Sequence, residues 1–175
     1  MPRSVRMPAW WLGLALIAFA PAALSDDLPE YRLKAAFLYN FALFTEWPAG
    51  IGSTLTLCVY GQDPFGAEID ALQGKPVGDR HMVVRRVISV EGLTACQVVF
   101  ITDSSGDGIS RALSALRGAT VLTIADAPGA AKRGVALNMN VVNNKITFEA
   151  NLTAARAANV KLSSKLLSLA TEVFQ

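Results

Sequence analysis

The sequence predicts an α/β fold, specifically a three-layer α/β/α sandwich with a mostly parallel central sheet and a C-terminal hairpin. Three observations predict it. Residues 54–60 (Thr-Leu-Thr-Leu-Cys-Val-Tyr) and 96–102 (Cys-Gln-Val-Val-Phe-Ile-Thr) are short β-branched and aromatic runs. The second is apolar almost without a break, which fits a strand buried on both faces of a parallel sheet. Helical segments alternate with such strands through the middle of the chain, as in βαβ units. Near the end, residues 134–139 and 145–148 flank 141–144, where Asn143-Asn144 tolerates the positive φ of a hairpin turn.

Residues 1–25 precede the fold. Arg3 and Arg6 supply a positive start, residues 10–19 an apolar run, and Ala23-Leu24-Ser25 a small-x-small site ahead of Asp26-Asp27. This is the pattern of a secretory signal peptide cleaved after Ser25. The apolar run falls short of the roughly 20 residues that a membrane span needs. Residues 26–175 are then the mature product, long enough for one domain with a substantial core. Without Arg3 and Arg6, the remaining 14 Lys/Arg balance 14 Asp/Glu. No run of basic residues points to nucleic acid, and no later stretch is long enough to cross a bilayer.

The mature chain opens on Tyr31-Arg-Leu-Lys-Ala-Ala-Phe-Leu-Tyr-Asn-Phe-Ala-Leu-Phe-Thr-Glu-Trp47-Pro48. It reads as a helix stopped by Pro48, since proline bars the preceding residue from the helical region. Leu33, Phe37, Phe41 and Phe44 make one apolar face, and Leu38, Ala42 and Leu43 make the back nearly as apolar. Such a helix is buried, membrane-embedded or held for a partner. The expectation is core, with one side on the sheet and the other on a C-terminal helix or a second protomer.

After the strand at 54–60, Asp63-Pro64 opens a helix running to Gln73 and stopped by Gly74. Aspartate caps well, and proline at the first helical position leaves no N–H unpaired. Gly78-Asp79 turns into a strand at 81–88, and 90–93 is a short connector. Beyond the strand at 96–102 come a polar loop at 103–108, an amphipathic helix at 109–116 closed by Gly118, and a strand at 120–124. Residues 127–133 are a loop or helical turn. After the hairpin, Asn151 caps a helix through Ala158, and Ser163 or Ser164 caps a last helix over 165–173 with Leu166, Leu167, Leu169 and Ala170 inward.

Cys58 and Cys96 are the only cysteines. An even number in an oxidising compartment permits one disulfide, and two separate buried thiols are the alternative. Right-handed crossovers set the strands at 54–60 and 96–102 side by side, which favours the bond.

No constellation carries catalysis. Gly61-Gln-Asp-Pro-Phe-Gly66 has phosphate-loop glycine spacing, but Ala67-Glu68 stands where Lys-Ser/Thr is required. Asp103-Ser-Ser-Gly-Asp-Gly108 resembles the start of a calcium loop, yet its twelfth position is Ser114 rather than glutamate. His81, the single histidine, excludes histidine clusters and has no nucleophile elbow to serve. Ser163-Ser164-Lys165 fits capping better than a Ser–Lys pair. Arg85-Arg86 lies on a strand, one side chain to each face, as an edge charge or a contact for an anionic ligand. No catalytic residue, metal ligand or cofactor is expected.

Several segments resemble the YfiR family of bacterial periplasmic proteins: residues 33–48 of the opening helix, Leu57-Cys-Val-Tyr-Gly61 with Asp63-Pro-Phe-Gly66, Cys96-Gln-Val-Val-Phe-Ile101, Ile146-Thr-Phe-Glu-Ala-Asn-Leu-Thr-Ala-Ala-Arg156 and Leu162-Ser-Ser-Lys-Leu-Leu-Ser-Leu-Ala170. They cover the mature chain in order. The resemblance implies a regulator rather than an enzyme. It would be a homodimeric periplasmic repressor that binds the sensor domain of an inner-membrane diguanylate cyclase, keeps cyclic-di-GMP and biofilm formation low, and is relieved by an outer-membrane lipoprotein. It also implies that Cys58 and Cys96 form one family disulfide. The second cysteine pair of some members has no counterpart at 130–137. The rival reading is a small-molecule-binding sensor subunit for a membrane histidine kinase or other receptor, with its ligand near 103–108.

Overall fold

A computed structural model describes residue 1 and residues 27–102 and 107–175. The expected leader, apart from Met1, and positions 103–106 of the calcium-like loop lie outside the described residues. Helix α1 (Asp27–Leu43) is followed by β1 (Thr45–Glu46), β2 (Thr54–Tyr60), a helical turn α2 (Ala67–Asp70), β3 (Pro76–Val77) and β4 (Arg80–Val87). A 3-10 turn at Val90–Ala95 leads into β5 (Val98–Ile101), α3 (Gly108–Ala115) and β6 (Leu122–Ala125). The hairpin β7 (Leu137–Val142) and β8 (Lys145–Asn151), α4 (Leu152–Ala157), β9 (Lys161–Leu162), α5 (Ser164–Leu167) and β10 (Glu172–Phe174) complete it.

Eight strands form one sheet in the order β10-β8-β7-β6-β5-β2-β4-β3. All neighbours run parallel except the hairpin β7–β8 and the short β3–β4 pair. The expected α/β sandwich is therefore present, and β2 and β5 are neighbours at its centre.

The period of two along the strands divides the core into two layers. Leu55, Leu57 and Val59 of β2 pack with Phe100, Leu38, Phe41, Ile69, Ala155 and Leu166, so α1, α2, α4 and α5 share one face. Cys58 and Tyr60 pack with Val99, Ile101, Ile109, Ala112 and Leu93 on the other, under α3 and the 3-10 turn. The disulfide joins Cys58 to Cys96 in this second layer, with Cα atoms 6.0 Å apart.

Four expectations need correction. The opening helix ends at Leu43, not at Trp47. The chain there leaves the helix because Thr45-Glu46 pairs with Leu162-Lys161, while the Thr45 hydroxyl donates to the Phe41 carbonyl (2.7 Å). The buried stripe is Ala35, Leu38, Phe41 and Ala42, and Leu33 (52%) and Leu43 (41%) stay exposed. Asp63 does not start a helix. Its Oδ1 accepts from the Phe65 N–H (2.8 Å) in a local turn, and helix forms only over Ala67–Asp70. Finally, the C-terminal helix stops at Leu167. Thr171 donates to the Phe148 carbonyl, and Glu172–Phe174 joins the sheet beside β8, leaving Leu169 65% exposed.

The hairpin is as expected. Asn143 (φ 50) and Asn144 (φ 58) make its two-residue turn, with both residues in the left-handed region. Pro76-Val77, assigned no element from sequence, pairs with Arg80-His81 at the sheet edge. A two-residue strand carrying proline is a common way to blunt an edge.

Candidate contact groove

Three distant segments meet beside the small β1–β9 pair. The first is Glu46-Trp47-Pro48, which α1 delivers. Trp47 is held by its indole N–H, which donates to the Ala42 carbonyl (3.1 Å), so the ring lies back against the helix that precedes it. The second is α4. Its start is capped by Asn151, whose Oδ1 accepts from Ala154 N–H (2.8 Å) while its amide donates to the Ala131 carbonyl (2.8 Å). Its end turns on Asn159 at φ 53, with Val160 N–H donating back to the Ala155 carbonyl (3.1 Å). That is the left-handed stop that glycine or asparagine provides at helix ends. The third segment is α5, capped by the Ser163 hydroxyl, which accepts from Leu166 N–H (3.2 Å).

Between them lies an open groove of about 790 Å³. Ala155, Val160 and Leu162 are its buried floor, and Trp47, Leu152 and Leu167 are half-buried walls. Arg156, exposed, brings a guanidinium to the rim, while Lys161 is paired with Glu46 (2.8 Å) in an ion pair exposed on both sides. Such a pair adds little stability, about 0–1 kcal/mol. Lys165 lies over the Phe44 ring at 4.9 Å and braces α5 against the end of α1. The groove offers apolar walls, a tryptophan and a cation for contact.

The remaining sequence candidates are dispersed. His81 is exposed on β4, paired in register with Thr54 and Pro76. Ser163 is a helix cap, as its position next to Ser164 and Lys165 implied. Arg86 is taken internally: its guanidinium meets Asp63 (2.7 Å), Asp70 (2.7 Å) and the Gly66 carbonyl (3.0 Å). These hydrogen bonds raise the Arg86 pKa further and hold the Asp70 carboxyl below its usual range. Arg86 therefore ties the turn at 63–70 to β4, and Arg85 remains exposed. Sequence reasoning missed this pairing, the groove, and the ion pair of Lys34 with Asp126. The Asx-turn propensity of Asp63 was the one local signal for the first.

The family model described as YfiR/HmsC-like matches residues 31–171. The chain belongs to the YfiR/HmsC-like family. That family is regulatory and periplasmic and is tied to diguanylate cyclase pathways. No curated protein matches the chain. Among solved structures, a conserved domain protein from Vibrio cholerae O1 biovar El Tor is similar, with TM-score 0.52 and 10% identity over 82% of this chain and 60% of that one. The ABC domain in complex with L-Trp from Streptococcus pneumonia reaches TM-score 0.49 at 9% identity, over 69% of this chain and 55% of that one. This chain spans about 60% or less of the length of either. At such identity the first likeness is one of fold alone.

Within the YfiR/HmsC-like chain, the segments that carried the resemblance converge. Residues 46–48, 152–156 and 162–167 come from three of the five, and all three line the groove.

Proposed function

We propose that this YfiR/HmsC-like protein is exported, loses residues 1–25, and works as a single periplasmic domain over 26–175. In this reading it represses an inner-membrane diguanylate cyclase by binding the periplasmic sensor domain of that enzyme, lowering cyclic-di-GMP and biofilm formation. It acts as a homodimer without catalytic chemistry, and an outer-membrane lipoprotein relieves the repression by sequestering it. Family membership together with the convergence of three family-like segments on one groove is the observation that carries the reading.

Mechanistically, the groove offers a partner Leu152, Leu167 and the Arg156 cation on capped helices, with the Trp47 ring just beyond β1. A partner whose inactive arrangement presents the complementary surface is shifted toward that arrangement by the difference in affinity. Deleting the gene and measuring cyclic-di-GMP tests the reading, alongside capture of the cyclase with tagged wild-type protein. A rise on deletion, reversed by wild type but not by Leu167→Asp, is expected. An unchanged level with no cyclase captured would overturn it.

A further inference from the structure

Helix α1 is apolar on the side that faces water as well as on the side that faces the sheet. Ala35, Leu38, Phe41 and Ala42 are buried in the core. Away from them Leu33, Ala36, Asn40 and Leu43 are exposed, with Phe37 and Phe44 half-buried alongside. The outer face of a surface helix ordinarily carries its charges. Positions 35–45 contain none, so from Leu33 onward the outer stripe holds two leucines, an alanine and an asparagine. Single apolar residues at a surface are ordinary, whereas a row of them marks a contact.

The spacing identifies the partner. Leu33, Ala36, Asn40 and Leu43 follow one another at steps of three, four and three residues, the a/d repeat of a seam between two helices. That repeat reads the same in both directions, so the stripe matches a second copy of itself laid antiparallel. Leu33 then meets Leu43 of the second copy at both ends, and Ala36 meets Asn40 on either side of the centre. The small alanine leaves room for the asparagine, and a single asparagine in such a seam fixes its register.

Charge selects the same arrangement. Arg32, exposed and held within the chain by a 3.9 Å contact to Glu68, flanks the Leu33 end of the stripe. At the other end, α1 has no basic residue in its last turn and leads into the exposed carboxylate of Glu46. An antiparallel pair sets each Arg32 beside that end of the second copy, where a cation complements both the helix dipole and the carboxylate. A parallel pair sets the two Arg32 side chains against each other. We propose that α1 packs antiparallel on α1 of a second copy, and that the stripe Leu33, Ala36, Asn40 and Leu43 is the homodimer interface. This rests on the homodimer of the proposed function and names the surface that forms it.

The test is sedimentation velocity of the mature protein over a dilution series, with circular dichroism of each variant. Wild type should sediment as a dimer. Ala36→Glu, Leu33→Glu and Leu43→Lys should each sediment as monomers at the concentration where wild type is dimeric. All three sites are exposed, so the variants should keep the wild-type spectrum and a cooperative unfolding transition. The double variant Leu33→Glu/Leu43→Lys should be dimeric again, because the antiparallel contact joins its opposite charges, whereas a parallel one sets like charges together. A double variant that stays monomeric would refute the antiparallel pairing. A folded Ala36→Glu protein that remains dimeric would exclude this interface and leave the homodimer standing; a wild type monomeric throughout would remove the homodimer itself.

Discussion

Lys34 Nζ lies 2.6 Å from Asp126 Oδ2, an ion pair between positions 92 apart in the chain that fastens the middle of α1 to the residue after β6. Both side chains are largely withdrawn from solvent, Lys34 to 5% and Asp126 to 13% exposure. Glu30 makes a second contact to the ammonium, and the Tyr31 ring lies 4.4 Å beneath it. Burial opposes the charge on Lys34, yet the hydrogen bonds to Asp126 and Glu30 outweigh it, and its pKa is raised. Tyr31 is also raised, first by burial and then by the Asp126 charge.

Removing Lys34 strands Asp126 as a largely buried charge, whereas removing Asp126 leaves Lys34 paired with Glu30. Lys34→Met should therefore cost about 3–5 kcal/mol, Asp126→Leu less, and the double replacement should recover much of the Lys34→Met loss. Urea unfolding midpoints with unchanged slope measure it. The pH dependence has a definite sign. A lysine and a tyrosine whose folded pKa values are raised contribute stability that is whole below their ordinary values, 10.5 and 10.0, and lost as pH climbs through the folded values. The stability gap between wild type and Lys34→Met should hold at neutral pH and narrow in the alkaline range, as pH climbs through the raised Lys34 value; a gap unchanged in strong alkali would contradict this assignment.

Cys58 and Cys96 close a loop with a sequence separation of 38, worth roughly 3–4 kcal/mol on the chain-entropy model. Both sulfurs sit in the second core layer, at 0% and 1% residue exposure, so reductant reaches them only through opening of the fold. Native protein should show no titratable thiol, and denatured, reduced protein two. The Cys58→Ala/Cys96→Ala double variant should lose about that stabilisation in a denaturant titration.

The hairpin turn supplies a local test. Asn143 and Asn144 both hold positive φ, which costs most L-residues roughly 1–2 kcal/mol. Asn144→Val should destabilise by about that amount and Asn144→Gly should not, by thermal unfolding. Equal effects of the two would show that the turn relaxes to another type.

What could be read from sequence follows from the range of the forces involved. Strand β2 and the Asn143-Asn144 turn were legible because burial on both faces and positive φ leave local marks in Thr54–Tyr60 and in two adjacent asparagines. The early end of α1 was not, because Thr45-Glu46 leaves the helix to pair with Leu162-Lys161. Strand β10 failed for the same reason: Lys165–Val173 has a helical pattern, but Thr171 is bonded to Phe148 and its successors continue along β8. The groove was invisible as a site although its lining segments were the ones that marked the family, since each residue in it has an ordinary local role as cap, stop or edge.

Phe41 and Leu167 separate core from contact surface. Phe41 is 1% exposed, and its ring meets Phe148 edge-on at 5.0 Å and Phe37 at 5.7 Å. Truncating such a ring costs about 3–5 kcal/mol, and a buried unpaired carboxylate costs more still. Phe41→Asp should therefore leave no cooperative unfolding transition and no soluble folded protein. Leu167 is half-buried on the wall of the groove, where an aspartate keeps its charge in water. Leu167→Asp and Arg156→Glu should retain wild-type circular dichroism and a Tm within a few degrees while losing capture of the membrane partner. A Phe41→Asp protein that stays folded and merely fails to bind would make α1, and not the groove, the recognition surface.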